Sequence, residues 1–332
     1  MKTSVGDPFG ESMRPSLRAH LEVLGGAFMI ESADASLLQL AVEAFGGLPR
    51  QRMARNPQCF RVTFVTTKDC RAWPRNTEPP QPAHSAGGGL LCATIDAANF
   101  VVIDVALGRA LVCISPAMLR HRYHARYELV ELAVLILAAR GLGLVPLHAA
   151  CVGQRGRGAL LIGPSGAGKS TLSLHALNAG MQLLSEDSAF VAADSLSIAG
   201  VPSFLHVQPS ALRFLPNGPL RRRVRGSPMI RRRSGTRKHE VDLRSIGNRI
   251  ARAPLRLAAT VFLSPEPAGR RPLLRELASR TLLTRLRREQ PYAAGLSTWR
   301  GFEQRIVEVP AYELRRAKHP DIAVRELQQL LA

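Results

Sequence analysis

The sequence predicts an α/β second half behind an α+β first half. Three observations predict it. An apolar run at residues 159–162 leads into a glycine-rich loop and then into a helix-forming segment at 169–178. Alternating or β-branched runs recur between turn-rich stretches in the first 140 residues. Near Gly141 the pattern changes to strand, glycine loop and helix, which divides the chain into a disordered tail (1–16), an N-terminal α+β domain (17–140) and a second domain (141–332).

The N-terminal residues 1–17 are polar and lack the apolar stretch of a secretory leader. Residues 22–30 read as one strand. After Asp34, the positions Leu37, Leu38, Leu40, Ala41 and Phe45 recur at helical spacing until Gly46-Gly47 stops them. Residues 59–65 alternate as a strand does, whereas 71–89 are dominated by Pro, Ser, Gly and Asn and read as a long surface loop. Short strands at 90–95, 99–105 and 110–114 suggest an antiparallel meander, and a helix over about 116–139 closes the region. The apolar stretch 129–145 holds Glu131 and Arg140 and is broken by Gly141 and Gly143, so it predicts a buried helix and no membrane span. Nothing in these first 140 residues carries recognisable chemistry.

In the second half, strands are expected at 145–152 and 158–162, a helix at 169–178 ended by Gly180, and a strand at 182–184. Further strands fit 188–191, 197–201 and 260–263. Residues 221–233 read as an arginine-dense loop, and 273–288 and 321–331 as helices.

Net charge is +20 and the excess is mostly arginine, so the field around the molecule attracts anions without choosing among nucleotides, acidic peptides, nucleic acid and membrane surfaces. The five cysteines are scattered, odd in number and never in a C-x-x-C pair. They indicate neither a disulfide framework nor a zinc site and fit a reducing, cytoplasmic setting.

The chemistry begins at Gly163-Pro164-Ser165-Gly166-Ala167-Gly168-Lys169-Ser170, which fits G-x-x-x-x-G-K-[S/T] between an apolar strand and a helix. Glycines at 163, 166 and 168 permit positive φ and close backbone approach, so successive N–H groups can point at phosphate oxygens. The helix N-terminus adds partial positive charge. Lys169 would reach the β- and γ-phosphates and Ser170 would be a magnesium ligand. Thr171, next in the chain, is counted with these eight as nucleotide-binding. Two carboxylates, Glu186 and Asp187, follow 17 and 18 residues after Lys169, at the end of the next strand, where ligands bind in α/β sheets. His148 precedes Lys169 by 21 residues.

With the loop, the histidine before it and the acidic pair after it at these spacings, the chain resembles the catalytic domain of the HPr kinase/phosphorylase family, bacterial enzymes that phosphorylate a serine on a small carrier protein. The resemblance is strongest over residues 147–191. It implies an α/β P-loop kinase domain of HPr kinase / PEP carboxykinase-like type behind the α+β N-terminal domain. It implies ATP and Mg2+ as cofactors, Asp187 as general base, Glu186 as a magnesium holder, and His148 and Lys169 as catalytic partners. The acceptor it implies is a serine or threonine hydroxyl of a protein or peptide.

Two departures stand out. The family's first acid is normally Asp and here is Glu186, and its E-I-R-G segment is missing, the corresponding region reading Phe204-Leu205-His206-Val207-Gln208-Pro209. The chain therefore looks more like the divergent kinases of the family, some of which resemble accessory enzymes of modified-peptide biosynthesis, than like a dual kinase and phosphorylase. A nucleotide-binding regulatory module and a small-molecule or carboxykinase-like phosphotransferase remain the alternative readings.

Seven arginines fall within residues 221–233. They could close over a triphosphate, recruit an acidic substrate or lie solvated, with Lys238 as a further cationic candidate. Nucleic acid is disfavoured as a partner because no aromatic residues interleave them to stack on bases. An oligomer is compatible with the sequence.

Overall fold

The computed structural model describes residues 16–53, 58–68, 73, 77–247 and 249–332. All of the tail expected over 1–16 except Ser16 lies outside them. The chain is a mixed α/β structure with several sheets and forms two compact units. One takes in the described residues of 1–46 and 57–142, the other those of 47–56 and 143–332.

In the first unit, β1 (Leu17–Val23) and β2 (Gly26–Ser32) form an antiparallel hairpin in place of the single strand predicted over 22–30. The reason is local: Leu24 (φ 54°) and Gly25 (φ 86°) are both left-handed and reverse the chain in two residues, as the turns that suit twisted strands require. The Asp34 side chain accepts from the Ser36 backbone N–H to cap α1 (Ala35–Phe45), which buries Leu37, Leu40, Ala41, Ala44 and Phe45. Next come β3 (Cys59–Thr66) and β4 (Ala83–Gly87). β4 lies inside the predicted loop; its residues are all exposed, and pairing with β5 (Leu90–Asp96) holds it. Residues 71, 72 and 74–76 of the predicted loop fall outside the described set.

β5, β6 (Asn99–Asp104) and β7 (Arg109–Ile114) are the antiparallel meander, and β7 then joins β3 in parallel. The long helix predicted over 116–139 is divided. His121 (φ −99°, ψ 54°) leaves helical geometry between α2 (Pro116–Leu119) and α3 (Arg122–His124). A π-helical turn, Ala125–Glu131, then leads into α4 (Leu132–Gly141). Within that turn Arg126 Nε donates to Glu131 Oε1 at 2.9 Å, five residues on, a spacing that the wider π turn brings together. No helix among the described residues is long and apolar enough to cross a membrane.

The second unit is built on a sheet with, among the described residues, nine strands. β8 (Leu144–Leu147) and β9 (Ala149–Gln154) divide the single strand expected over 145–152, breaking at His148. Then follow β10 (Arg157–Ile162), α5 (Lys169–Asn178), β11 (Gln182–Ser185), β12 (Ala189–Ala192) and β13 (Ser197–Gly200). The central path runs β11-β9-β10-β17-β13-β12-β8, with β17 (Leu255–Pro267) also pairing β19 (Ala311–Arg316).

Alternate residues of the central strands enter opposite apolar layers. Ala150, Val152, Ala159 and Leu161 face the layer that holds Leu174 and Leu177 of α5 and Val324 and Leu327 of a C-terminal helix. Ala149, Cys151, Leu160 and Ile162 face the layer with Leu282, Leu286, Trp299 and Phe302. Burial on both faces is why these strands read as unbroken apolar runs.

Between β13 and β17 a separate three-stranded sheet is inserted, ordered β14 (Phe204–Val207), β16 (Arg237–Asp242), β15 (Met229–Arg231), with α6 (Pro219–Arg225) beside it. This replaces the arginine-dense loop predicted over 221–233. Leu220 and Val224 of α6 are buried, so apolar residues among the arginines tie that segment to the core. After β17 the helix predicted over 273–288 opens instead with β18 (Leu274–Leu277), which pairs with β19, and only then becomes α7 (Ser279–Glu289). The rest is α8 (Pro291–Ala294), α9 (Trp299–Ile306) and, after β19, α10 (Pro320–Leu330).

Candidate functional site

β9 lies antiparallel to both β10 and β11. The C-terminal ends of β10 and β11 therefore meet the N-terminal end of β9 at one end of the sheet. The β9–β10 register pairs Ala149 with Ile162, so the next step along it sets His148 beside Gly163. On the other side, Ser185 Oγ donates to Ala149 O at 3.3 Å and delivers the following two carboxylates to the same place.

In the glycine loop, Gly166 (φ 86°) and Gly168 (φ 105°) are left-handed, which L side chains rarely adopt. Gly163 is not left-handed and is needed for space: a Cβ there would stand 3.1 Å from Ala167 Cβ and 3.3 Å from Leu263 Cβ. Pro164, Ser165 and Gly166 are exposed, Ala167, Gly168, Ser170 and Thr171 are half-buried, and Lys169 is buried. Gly168 caps α5, so the helix's first free N–H groups and its dipole face the loop.

Lys169 Nζ donates to Gly163 O at 2.6 Å and stands 3.1 Å from His148 Nε2. Burial lowers its pKa, against the pull of the Asp187 and Glu186 charges, but the carbonyl and the acidic pair hold an ammonium in place. The other ring nitrogen of His148, Nδ1, faces Asp187 Oδ1 at 3.4 Å. The break in the strand that presents His148 is clamped by Gln290: the His148 N–H donates to Gln290 Oε1 at 2.7 Å, and Gln290 Nε2 donates to His148 O at 3.2 Å.

The neighbouring acid has a different environment. Ser170 Oγ donates to Glu186 Oε1 at 2.6 Å, and the other oxygen, Oε2, lies 3.0 Å from His206 Nδ1. His206 Nε2 in turn lies 3.1 Å from Glu240 Oε1. Burial alone would raise the Glu186 carboxyl, but His206, Arg232 and Ser170 bring it down to about 2. Burial likewise works against charge on His206, and the Glu186 carboxylate and the hydrogen bonds to Glu186 and Glu240 outweigh it, so its pKa is raised. Both shifts favour the charged forms, a carboxylate facing an imidazolium.

Cations surround the acids. Arg232 Nη2 comes within 4.0 Å of Asp187 Oδ2 and 3.4 Å of His206 Nδ1. Lys238, half-buried, feels burial and Arg232 lowering its pKa while Glu186 and Asp187 oppose them. Other arginines of the segment turn elsewhere, Arg221 Nη1 to Leu215 O (2.7 Å) and Arg223 Nη2 to Ser245 O (3.4 Å).

His148, Lys169, Ser170, Glu186 and Asp187, all named from sequence, thus come together, joined by Arg232 and Lys238. The Ser170 hydroxyl and the Glu186 carboxylate are adjacent oxygen donors of the kind a hard divalent cation takes, so the pair fits magnesium. Sequence reasoning missed His206, Glu240 and Gln290 as participants. For the first two, the signal lies in pairing: His206 and Glu240 are directly opposite in the β14–β16 register.

No family model and no curated protein matches this chain. Among solved structures it is similar to the HPr(Ser) kinase/phosphatase from Coxiella burnetii, at 14% identity and a TM-score of 0.30, over 55% of this chain and 94% of that one. A likeness of that size establishes neither fold nor activity.

Proposed function

We propose that this chain is an ATP- and Mg2+-dependent phosphotransferase with a P-loop kinase domain of HPr kinase / PEP carboxykinase-like type, acting on a serine or threonine hydroxyl of a protein or peptide. The observation that carries the reading is the contact of Asp187 with His148 beside Lys169. A carboxylate able to take a proton, a phosphate-seeking ammonium and a metal-fitting Ser170–Glu186 pair share one end of the sheet.

In this reading the loop N–H groups and Lys169 bind the triphosphate, and Ser170 and Glu186 hold the cation. When bound, magnesium neutralises charge on the β- and γ-phosphate oxygens. Asp187 accepts the proton of the acceptor hydroxyl as its oxygen bonds to the γ-phosphorus. The bond from that phosphorus to the bridging oxygen breaks, and ADP departs. His148 keeps the Asp187 carboxylate oriented, and Arg232 and Lys238 add positive charge near the transferring group.

The choice of a macromolecular acceptor rests on access. The His148 side chain is 53% exposed and that of Asp187 25% exposed, so the base lies at an opening rather than in a sealed pocket suited to a small polar substrate.

The test is transfer of labelled γ-phosphate from ATP with magnesium to proteins and peptides from the same genome neighbourhood, comparing wild type with Lys169→Ala and Asp187→Asn. Label on acceptor serine or threonine that both substitutions abolish supports the kinase. Nucleotide binding with no labelled acceptor across a broad extract replaces it with a regulatory module.

A further inference from the structure

The proposed function gives no task to His206 or Glu240, yet both are buried and both are bound into the site. They face each other across adjacent antiparallel strands, the arrangement that brings side chains of opposed residues into contact. Glu240 Oε1 lies at one ring nitrogen and Glu186 Oε2 at the other. With a carboxylate oxygen at each nitrogen, the ring cannot turn without losing a charge-assisted bond. The consequence falls on Glu186: one oxygen is taken by His206, and only Oε1 remains beside the Ser170 hydroxyl.

We propose that His206, oriented by Glu240, is a positioning residue for the metal site, making Glu186 a one-oxygen ligand and so favouring a small octahedral cation over a larger one. The chemistry follows from ligand preference. Mg2+ demands near-ideal octahedral geometry and dehydrates reluctantly, whereas Ca2+ accepts more oxygens in flexible arrangements and often takes both oxygens of a carboxylate. A Glu186 side chain free to rotate could offer both oxygens; one tied at Oε2 offers one. The inference rests on the proposed placement of magnesium at Ser170 and Glu186, but not on the identity of any acceptor.

The experiment measures binding of ADP by calorimetry, without divalent metal, with Mg2+ and with Ca2+, for wild type, His206→Asn, Glu240→Gln and Glu186→Gln, each checked for folding by its thermal transition. His206→Asn should weaken Mg2+-dependent ADP binding by about 10- to 100-fold, the usual cost of losing a group that orients a metal ligand. It should also narrow the preference for Mg2+ over Ca2+ and leave metal-free ADP binding unchanged. A strut that merely joins two sheets would not move the Mg2+/Ca2+ ratio. Folded His206→Asn with wild-type Mg2+ dependence and ion preference overturns the inference.

If His206→Asn does not fold, Glu240→Gln decides: the same direction of change supports the inference, and wild-type behaviour overturns it. If Glu186→Gln also leaves Mg2+ dependence intact, the metal placement itself is wrong and the inference falls with it. Failure to find a phosphate acceptor leaves these binding results unaffected.

Discussion

His148 Nδ1 stands 3.4 Å from Asp187 Oδ1, a pairing that two antiparallel strand contacts create by bringing the start of β9 beside the end of β11. If Asp187 is the base, replacing its proton-accepting oxygen should slow chemistry and spare binding. Asp187→Asn is expected to lower kcat by roughly 10²- to 10⁴-fold, the range for general-base assistance. ATP affinity, measured by calorimetry, should stay near wild type. A large loss of ATP affinity with unchanged turnover of bound nucleotide would assign Asp187 to binding instead.

Lys169 divides the other way. Its ammonium is buried and held by the Gly163 carbonyl at 2.6 Å, and under the proposed function it meets phosphate rather than acceptor. Lys169→Ala should weaken binding of ATP more than binding of adenosine, compared directly by displacement of a fluorescent nucleotide. Equal loss for both would mean that the substitution damages the loop as a whole.

Gln290 is buried and spans the strand break at His148 with two hydrogen bonds. Gln290→Ala leaves a backbone N–H and a carbonyl without those partners and should cost about 1–3 kcal/mol in urea denaturation. Turnover should fall as well, because His148 loses its anchor. An unchanged urea midpoint would show that water or another group takes over the bonds.

Gly200 of β13 faces the strand that ends at the acidic pair. A Cβ there would lie 2.3 Å from Leu184 O, a backbone atom that cannot rotate aside. Gly200→Ala should destabilise the unit by about 1–3 kcal/mol, as overpacking does, and weaken Mg2+-dependent nucleotide binding by shifting Glu186. A thermal transition within a degree of wild type would contradict the close approach.

The Glu186–His206 pair has a pH signature. The folded pKa of His206 lies above its ordinary 6.5, so its stabilising contribution is whole below 6.5 and is lost as pH rises through the raised value. Glu186 falls from 4.5 to about 2, so its contribution is whole above 4.5 and is lost as pH falls toward 2. The difference in Tm between wild type and His206→Gln should be largest between pH 4.5 and 6.5 and shrink on either side. A constant difference from pH 4 to pH 9 would mean that the ring carries no such charge.

What was legible in the residues followed from short-range rules. Strand, loop and helix around Lys169 could be read because Gly166 and Gly168 act on their own backbone and each apolar run meets its layer at a fixed period. The hairpin at Leu24-Gly25 was missed because leucine rarely adopts positive φ and so gives no turn signal; strand pairing holds it there. The segment at 221–233 looked like loop because arginine dominates its composition, while Leu220, Val224 and the pairing of β15 with β16 decided its structure.

The glycine loop, the strand before it, the helix after it and the spacing of His148, Glu186 and Asp187 from Lys169 are all readable in the residues alone. These depend on residue identity and on distances along the chain. That His206, Glu240, Gln290 and Arg232 join them follows from the fold. Their side chains reach the site through strand register and the packing of an inserted sheet, and contacts between residues far apart in the chain leave no local pattern from which to read them.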